Sequence, residues 1–363
     1  MSAVAERWGR WQRLALGLVA LALLAATVGL RLAPERTWAA LLLGSLYLLF
    51  ACLTGTLFIS IHYLAGAGWW VVVRRVPEAM MAGLPIAAIA LALTLSLGRN
   101  LLYPWAGAFM FARMALMLTL WVALAYAIRR ASLREDHQQL VRYSAIFAVI
   151  FAVTFSIASV DWIMSLEPRW ASSIFAVYVF AGLLASGIAL VTLIVILLRA
   201  TGPLRDVVSD AHLHDLGKLL FAFSTFWAYI WVSQYLLIWY GNLPEEIPYY
   251  VRRTSHGWLF WFLLNPAINW AIPFLVLLPR AAKRNARVLG GVCVLMLAGH
   301  YLDLYLLLAP DILAAPAIGP LELLIPIGYI SLFAITTERA LFSAPLVPRH
   351  DPYLDESLHR ETA

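Results

Sequence analysis

Residues 160–175, VDWIMSLEPRWASSIF, set Asp161, Glu167 and Arg169 between two long apolar runs, with Trp162 and Trp170 among them. A carboxylate at the edge of an apolar run suits a proton site, and the same composition suits a polar and aromatic belt at a membrane surface. A second pair, His300 and Asp303 in GHYLDLYLL, has the i, i+3 spacing that shares one helix face. Counted at about 1.5 Å per residue from the inner end of their run, they lie roughly 20 and 24 Å deep, and Asp161 lies roughly 27 Å up its own run. An imidazole beside a carboxylate at such depth is a candidate proton site. Arg113, near the middle of its run, needs a carboxylate partner, for which Asp161, Asp303 and Glu322 are available; such a pair can equally be purely structural. Glu322 precedes Pro326 by four residues, and that proline lacks the N–H to close a helical hydrogen bond. His62 ends one apolar run and Lys218 begins another, both towards the opposite end. Asp161, Glu167, His300 and Asp303 are therefore read as the outer exit of a proton path, with His62 and Lys218 at its inner mouth and Arg113 and Glu322 along it.

Other chemistries find less support. Glu167 and Arg169 also fit an ordinary interfacial ion pair. His212 and His214 in DAHLHDLGK are placed in a loop without a fixed third ligand, so no metal site is expected there. Haem would want histidines at matching depth on neighbouring helices, and His62 and His300 differ in depth. Cys52 and Cys293 stand alone in separate apolar runs, with no CxxC, CxxCH or cluster-ligand spacing.

These residues sit in a chain of 363 residues that is 63% hydrophobic and 13% charged, with a mean hydropathy of +0.82. A soluble domain of this length cannot hide so much apolar surface. The runs approach 20 residues, the length of a bilayer-spanning helix, and no alternating strand segments of a barrel occur. Ten spans are predicted, at about 14–32, 38–64, 80–97, 104–128, 143–166, 173–198, 216–240, 256–278, 287–308 and 313–336. Residues 1–342 then form one all-α polytopic membrane domain, and 343–363 a polar tail that touches a partner or nothing. The arginine-rich start resembles a signal peptide, but the run from Leu14 is long and is read as a retained first span. Of 26 Lys and Arg, 19 fall at or beyond the ends on the side of the N-terminus. That bias predicts cytoplasmic N- and C-termini and puts the 160–175 stretch at the outer face. It also accounts for a basic isoelectric point near 9.4 without invoking nucleic acid.

Three segments, SVDWIMSLEPRWASSIFAVYVFAG, HLHDLGKLLFAFSTFWAYIWVSQYLLIWYGNLPEEIPYY and GHYLDLYLL, occur in this order across spans five to nine. Together they resemble the second quinone-binding-type membrane subunit of bacterial alternative complex III, a quinol:cytochrome c (electron acceptor) oxidoreductase. That subunit is related to the NrfD-like polysulfide reductase membrane subunits. The resemblance implies ten helices, arranged as two four-helix bundles with flanking helices, in the bacterial inner membrane. It implies a non-redox subunit, contributing a proton path and scaffold to a respiratory complex, with no catalysis of its own. No cofactor is implied on this chain; menaquinol or ubiquinol is the admissible small molecule, and haem and iron–sulfur clusters belong to partner subunits. The implied partners are a sister quinol-oxidising membrane subunit, an iron–sulfur/molybdopterin-like periplasmic subunit, multihaem c-type cytochromes and, as a further candidate, a terminal oxidase. By position, Asp161 and Glu167 match the family's DWxMSL(D/E) acidic pair, His300 and Asp303 its GHxxDLY motif, and His214, Asp215 and Lys218 its HDLGK motif. Arg169 departs from the histidine expected after the proline.

Two rival readings stand beside this one. A secondary transporter would line one midplane cavity with converging polar groups, and a pure scaffold would pair all of them. The outer NLPEEIPYY loop, with Glu245 and Glu246, is expected to dock periplasmic subunits.

Overall fold

The computed structural model of the protein describes residues 2–348 and 351–360, with side chains from Trp11 onward. Arg7, Arg10, Arg349 and the last residues of the tail, to Ala363, lie outside the described side chains. In chain order the helices are α1 Ser2–Leu32, α2 Pro34–Leu64, α3 Arg75–Met80, α4 Leu84–Leu97, α5 Arg99–Leu102, α6 Ala108–Leu133, α7 His137–Trp162 and α8 Phe175–Thr201. There follow α9 Asp210–Gly241, α10 Ile247–Thr254, α11 Leu259–Pro266, α12 Ile272–Leu277, α13 Arg280–Arg284, α14 Ala286–Ile312, α15 Pro320–Leu341 and α16 Leu354–Leu358. Ten helical segments among the described residues are long and apolar enough to cross a membrane, so the chain is a multi-pass membrane protein. In a bilayer only a helix satisfies every backbone group within one segment, which is why these apolar runs are helical throughout.

Helix ends follow local chemistry. Asp136 caps α7 by accepting from the Gln139 amide at 3.0 Å, and Asn285 caps α14 through the amides of Arg287 (3.0 Å) and Val288 (3.3 Å). Ser209 and His212 form a reciprocal capping pair that starts α9 at Asp210. His212 and His214 therefore lie in the first turns of a helix, not in the loop expected for them. At its other end α9 stops at Asn242, which takes the left-handed conformation (φ 49°).

The helices gather around α2, whose span is 89% buried, whereas that of α1 is 22% buried and packs mainly on α15. Helix α2 touches α4, α7, α8, α14 and α15, and α8 in turn packs on α9 and α14. The third span begins earlier than expected, at Val71, in a broken helix. Arg74 and Arg75, counted as loop residues from the sequence, are consequently buried, and Glu78 with them. The tenth span shifts the other way. Pro316, Gly319 and Pro320 keep residues 313–319 out of a helix, so α15 starts at Pro320. Glu322 then stands in the first turn, at the end of the span instead of within it.

The tail also departs from expectation, because it folds back on the chain's own body. Asp351 binds Arg74, and the Tyr63 hydroxyl donates to Asp351 at 3.2 Å. Ser357 donates to the Trp69 carbonyl at 2.7 Å and accepts from the Val72 amide at 3.2 Å, while its own carbonyl lies 3.0 Å from His212 Nε2. Arg360 reaches Asp215 at 3.1 Å. These partners come from the second-to-third and sixth-to-seventh connections, which the tail thus ties together at one end of the bundle.

Candidate functional site

Helix α14 carries His300 and Asp303 about 21 and 26 Å from its first residue, near the middle of a 27-residue helix. Both are almost fully buried, at 3% and 4% exposure. Three donors from three other helices converge on the Asp303 carboxylate. The Tyr178 hydroxyl of α8 donates to Oδ1, Asn265 Nδ2 of α11 donates to Oδ1 at 2.7 Å, and the Trp227 indole of α9 donates to Oδ2 at 3.0 Å. No Lys or Arg is among the described partners of this carboxylate. His300 stands differently again: neither ring nitrogen has a hydrogen-bond partner among the described residues, and the ring meets Trp227 edge-on at 5.5 Å.

Local backbone chemistry explains how Asn265 gets there. Pro266 ends α11, and residues 267–271 continue as a π-helical turn before α12. Such a wide turn re-aims side chains and recurs at functional sites. Within it Asn269 is buried against the end of α11, its Nδ2 donating to Asn265 Oδ1 at 2.7 Å. That bond holds the Asn265 amide with its NH2 directed at Asp303.

The other candidates divide into separate sites. Asp161 is held by Arg113 in a two-pronged pair, Nε to Oδ2 at 3.0 Å and Nη2 to Oδ1 at 2.8 Å, linking α6 to α7. Arg113 also lies over the Phe109 ring at 4.6 Å. Of the three carboxylates available to Arg113, only Asp161 takes it; Glu322 binds Arg36 instead, through two contacts of 2.8 Å. Glu167 does not pair with Arg169. It binds Arg252, which bridges to Asp311 at 2.9 Å, because α10 lays its basic last turn against the end of α14. Trp170 stacks face to face on Tyr249 at 3.8 Å, and on that same ring sits the Arg253 guanidinium at 3.5 Å.

Arg253 answers a backbone problem. Pro310 in α14 has no N–H to give the Leu306 carbonyl. Arg253 donates to Leu306 and Leu307 carbonyls at 3.0 Å each and to Asp311 Oδ2 at 2.7 Å. Burial drives the phenols of Tyr249 and Tyr250 upward in pKa, so both stay neutral hydroxyls beside this cation.

At the opposite end, His62 Nδ1 lies 2.7 Å from the Phe58 carbonyl, and its ring stacks on Phe58 at 4.1 Å and leans on Trp70 at 5.0 Å. Lys218, mostly exposed, pairs with Asp215 at 2.6 Å. Buried near His62 on α2 are two hydroxyls without partners, Thr56 Oγ1 and Ser60 Oγ. Among the described residues, no group of three His, Cys, Asp or Glu is placed to hold a metal ion.

Proximity thus joins His300 to Asp303 and collects Glu167 with Asp311, but leaves Asp161 with Arg113, Glu322 with Arg36, and His62 and Lys218 apart from each other. Sequence reading missed Tyr178, Trp227 and Asn265, because they reach Asp303 from three different helices. Only the Asn-Pro pair inside an apolar run carried a signal. No protein-family model matches the chain, and no curated protein matches it either.

Proposed function

We propose that this chain is a non-redox membrane subunit of a respiratory quinol:cytochrome c (electron acceptor) oxidoreductase, in which the Asp303–His300 unit carries protons. The observation that supports it best is the state of Asp303: buried at mid-helix and held by three neutral donors, with no cation among its described partners. Isolated charge at such depth is costly, so a carboxyl group placed there without a counter-ion is suited to gain and lose a proton. A purely structural acid would more economically resemble Asp161, which keeps a permanent guanidinium. The partnerless imidazole one turn away supplies a second proton-holding group.

The remaining features of the reading accompany the resemblance in the three sequence segments: two four-helix bundles with flanking helices, cytoplasmic termini, the bacterial inner membrane, and the haem and iron–sulfur partners. The transporter alternative fits less well. Cavities touching the Asp303 cluster measure about 20 Å³ each, too small for a transported solute, and the larger clefts of about 270 and 660 Å³ are lined mainly by apolar residues away from that cluster. The test is purification in mild detergent through a tag on this chain, with mass spectrometry and haem staining. Co-purifying multihaem and iron–sulfur subunits are expected; a lone monodisperse chain contradicts the proposal.

A further inference from the structure

Asp303 lies between two small cavities, and each holds a buried polar atom that lacks a partner. The first, about 20 Å³, is lined by Tyr47, Gly182, Ser186, His300 and Asp303. Its floor is Gly182 of α8. A Cβ built there would lie 3.5 Å from Asp303 Oδ2 and 3.7 Å from His300 Nδ1. The missing methyl of Gly182 therefore marks a point close to both polar atoms at once. The second cavity, also about 20 Å³, lies on the other side, between Tyr178, Asn265, Gln234, Tyr250 and Arg253. There the Gln234 side-chain oxygen is buried and unpartnered, while its NH2 donates weakly to the Tyr250 hydroxyl at 3.4 Å.

A volume of this size accommodates one water, and a buried water requires two to four polar partners. Both cavities meet the two conditions. We infer that each holds a single ordered water, and that the two waters make Asp303 the centre of a relay running from His300 to the Arg253–Asp311 end of the bundle. This rests on the proton-carrying reading above. In the first cavity the water donates to Asp303 Oδ2 or His300 Nδ1 and accepts from the other. A proton leaving Asp303 goes to that water as the water passes one to His300 Nδ1; only O–H and N–H bonds are exchanged. In the second cavity the water accepts from the fixed cation Arg253 and donates to Gln234 Oε1. Those two bonds hold the water and move no proton. A proton passes from Asp303 Oδ1 to Tyr178 Oη as that hydroxyl gives its own to the water, which gives one to Tyr250 Oη as the half-buried Tyr250 releases its own to solvent. The Asp311 carboxylate, shared by Arg252 and Arg253 and joined through Arg252 to Glu167, lies beside this exit. Gly182 and Gln234 are positioning residues: the first leaves room for a water, the second gives one its acceptor.

Two substitutions probe the waters without touching a titratable group. Gly182→Ala meets only ordinary van der Waals contacts, so the helix accepts it, and the methyl takes the first water's place. Gln234→Leu removes the acceptor in the second cavity, and Gln234→Glu restores one. In the complex purified through this chain, a high-resolution cryo-EM map is expected to show density between His300 and Asp303 and beside Gln234. Gly182→Ala and Gln234→Leu should each lower proton-coupled turnover at least tenfold with the thermal unfolding midpoint kept, and Gln234→Glu should recover most of it. An empty first cavity, or full turnover in both Gly182→Ala and Gln234→Leu, overturns the relay. Full turnover in these two variants alongside a dead Asp303→Asn would overturn the relay alone, whereas an active Asp303→Asn would overturn the proton-carrying reading on which it rests.

Discussion

Asp303 and Asp161 are both carboxylates on long apolar helices, yet their partners differ in kind. Asp303→Asn keeps the shape but presents an NH2 to donors that already point at it, the Trp227 indole foremost. We expect the variant to fold with a loss of about 1–3 kcal/mol from that donor–donor conflict and to lose proton-coupled turnover by roughly 10²-fold or more. Adding Trp227→Phe, whose own cost is the cavity left by the buried indole, should give a combined loss smaller than the sum of the two and no recovery of turnover, as read from detergent melts beside rate measurements. Asp161 behaves otherwise. Arg113 is about a third exposed, so its pair with Asp161 is expected to contribute about 1 kcal/mol in a double-mutant cycle, with turnover close to wild type in Asp161→Asn. A strong turnover loss in Asp161→Asn at normal stability would return that residue to the proton path. At this scale the i, i+3 spacing of His300 and Asp303 was legible, since one helix presents both. The donors around Asp303 were not, because aromatic residues such as Tyr178 and Trp227 look in sequence like any other core residue.

Two prolines shape the elements that build the site. Pro266 leads into the π-helical turn that sets Asn269 against Asn265, and Pro310 frees the carbonyl that Arg253 occupies. Arg253→Met should leave Asp311 to Arg252 alone and the Leu306 carbonyl without its donor, costing about 3 kcal/mol. Pro310→Ala supplies an N–H for the Leu306 carbonyl, so the same Arg253→Met change should cost less in that background. Equal losses in the two backgrounds, measured by unfolding in detergent, would show that the proline has no part in the bond. Helix number and order were readable from hydropathy because a bilayer admits few alternatives to a helix. Span ends were less so. The Ser209–His212 cap extended α9 beyond its apolar run, and the Pro320 start shortened α15, taking Glu322 from the interior to an end.

For the whole molecule, the tail is a clasp across one end of the bundle. Its contacts rest on charges and backbone groups distant in sequence, such as Asp351 with Arg74 and Ser357 with His212, and a polar segment with three prolines announces none of them. Ending the chain at Val347 should expose the buried Arg74 and lower the unfolding midpoint, and Asp351→Asn should reproduce part of that loss. An unchanged midpoint in the truncated chain would reduce the clasp to an incidental contact. The charge bias predicts that this end faces the cytoplasm, so a reporter at residue 2 should label there and one near the αL turn at Asn242 on the opposite face. On the function we propose, the buried Asp303 unit carries protons for a quinol-oxidising complex. The most direct test is the proton-to-electron ratio of that complex, purified through this chain and reconstituted in proteoliposomes, wild type against Asp303→Asn. A lowered ratio or stalled turnover is expected in the variant with its subunits all present; an unchanged ratio at full turnover would mean that Asp303 carries no protons.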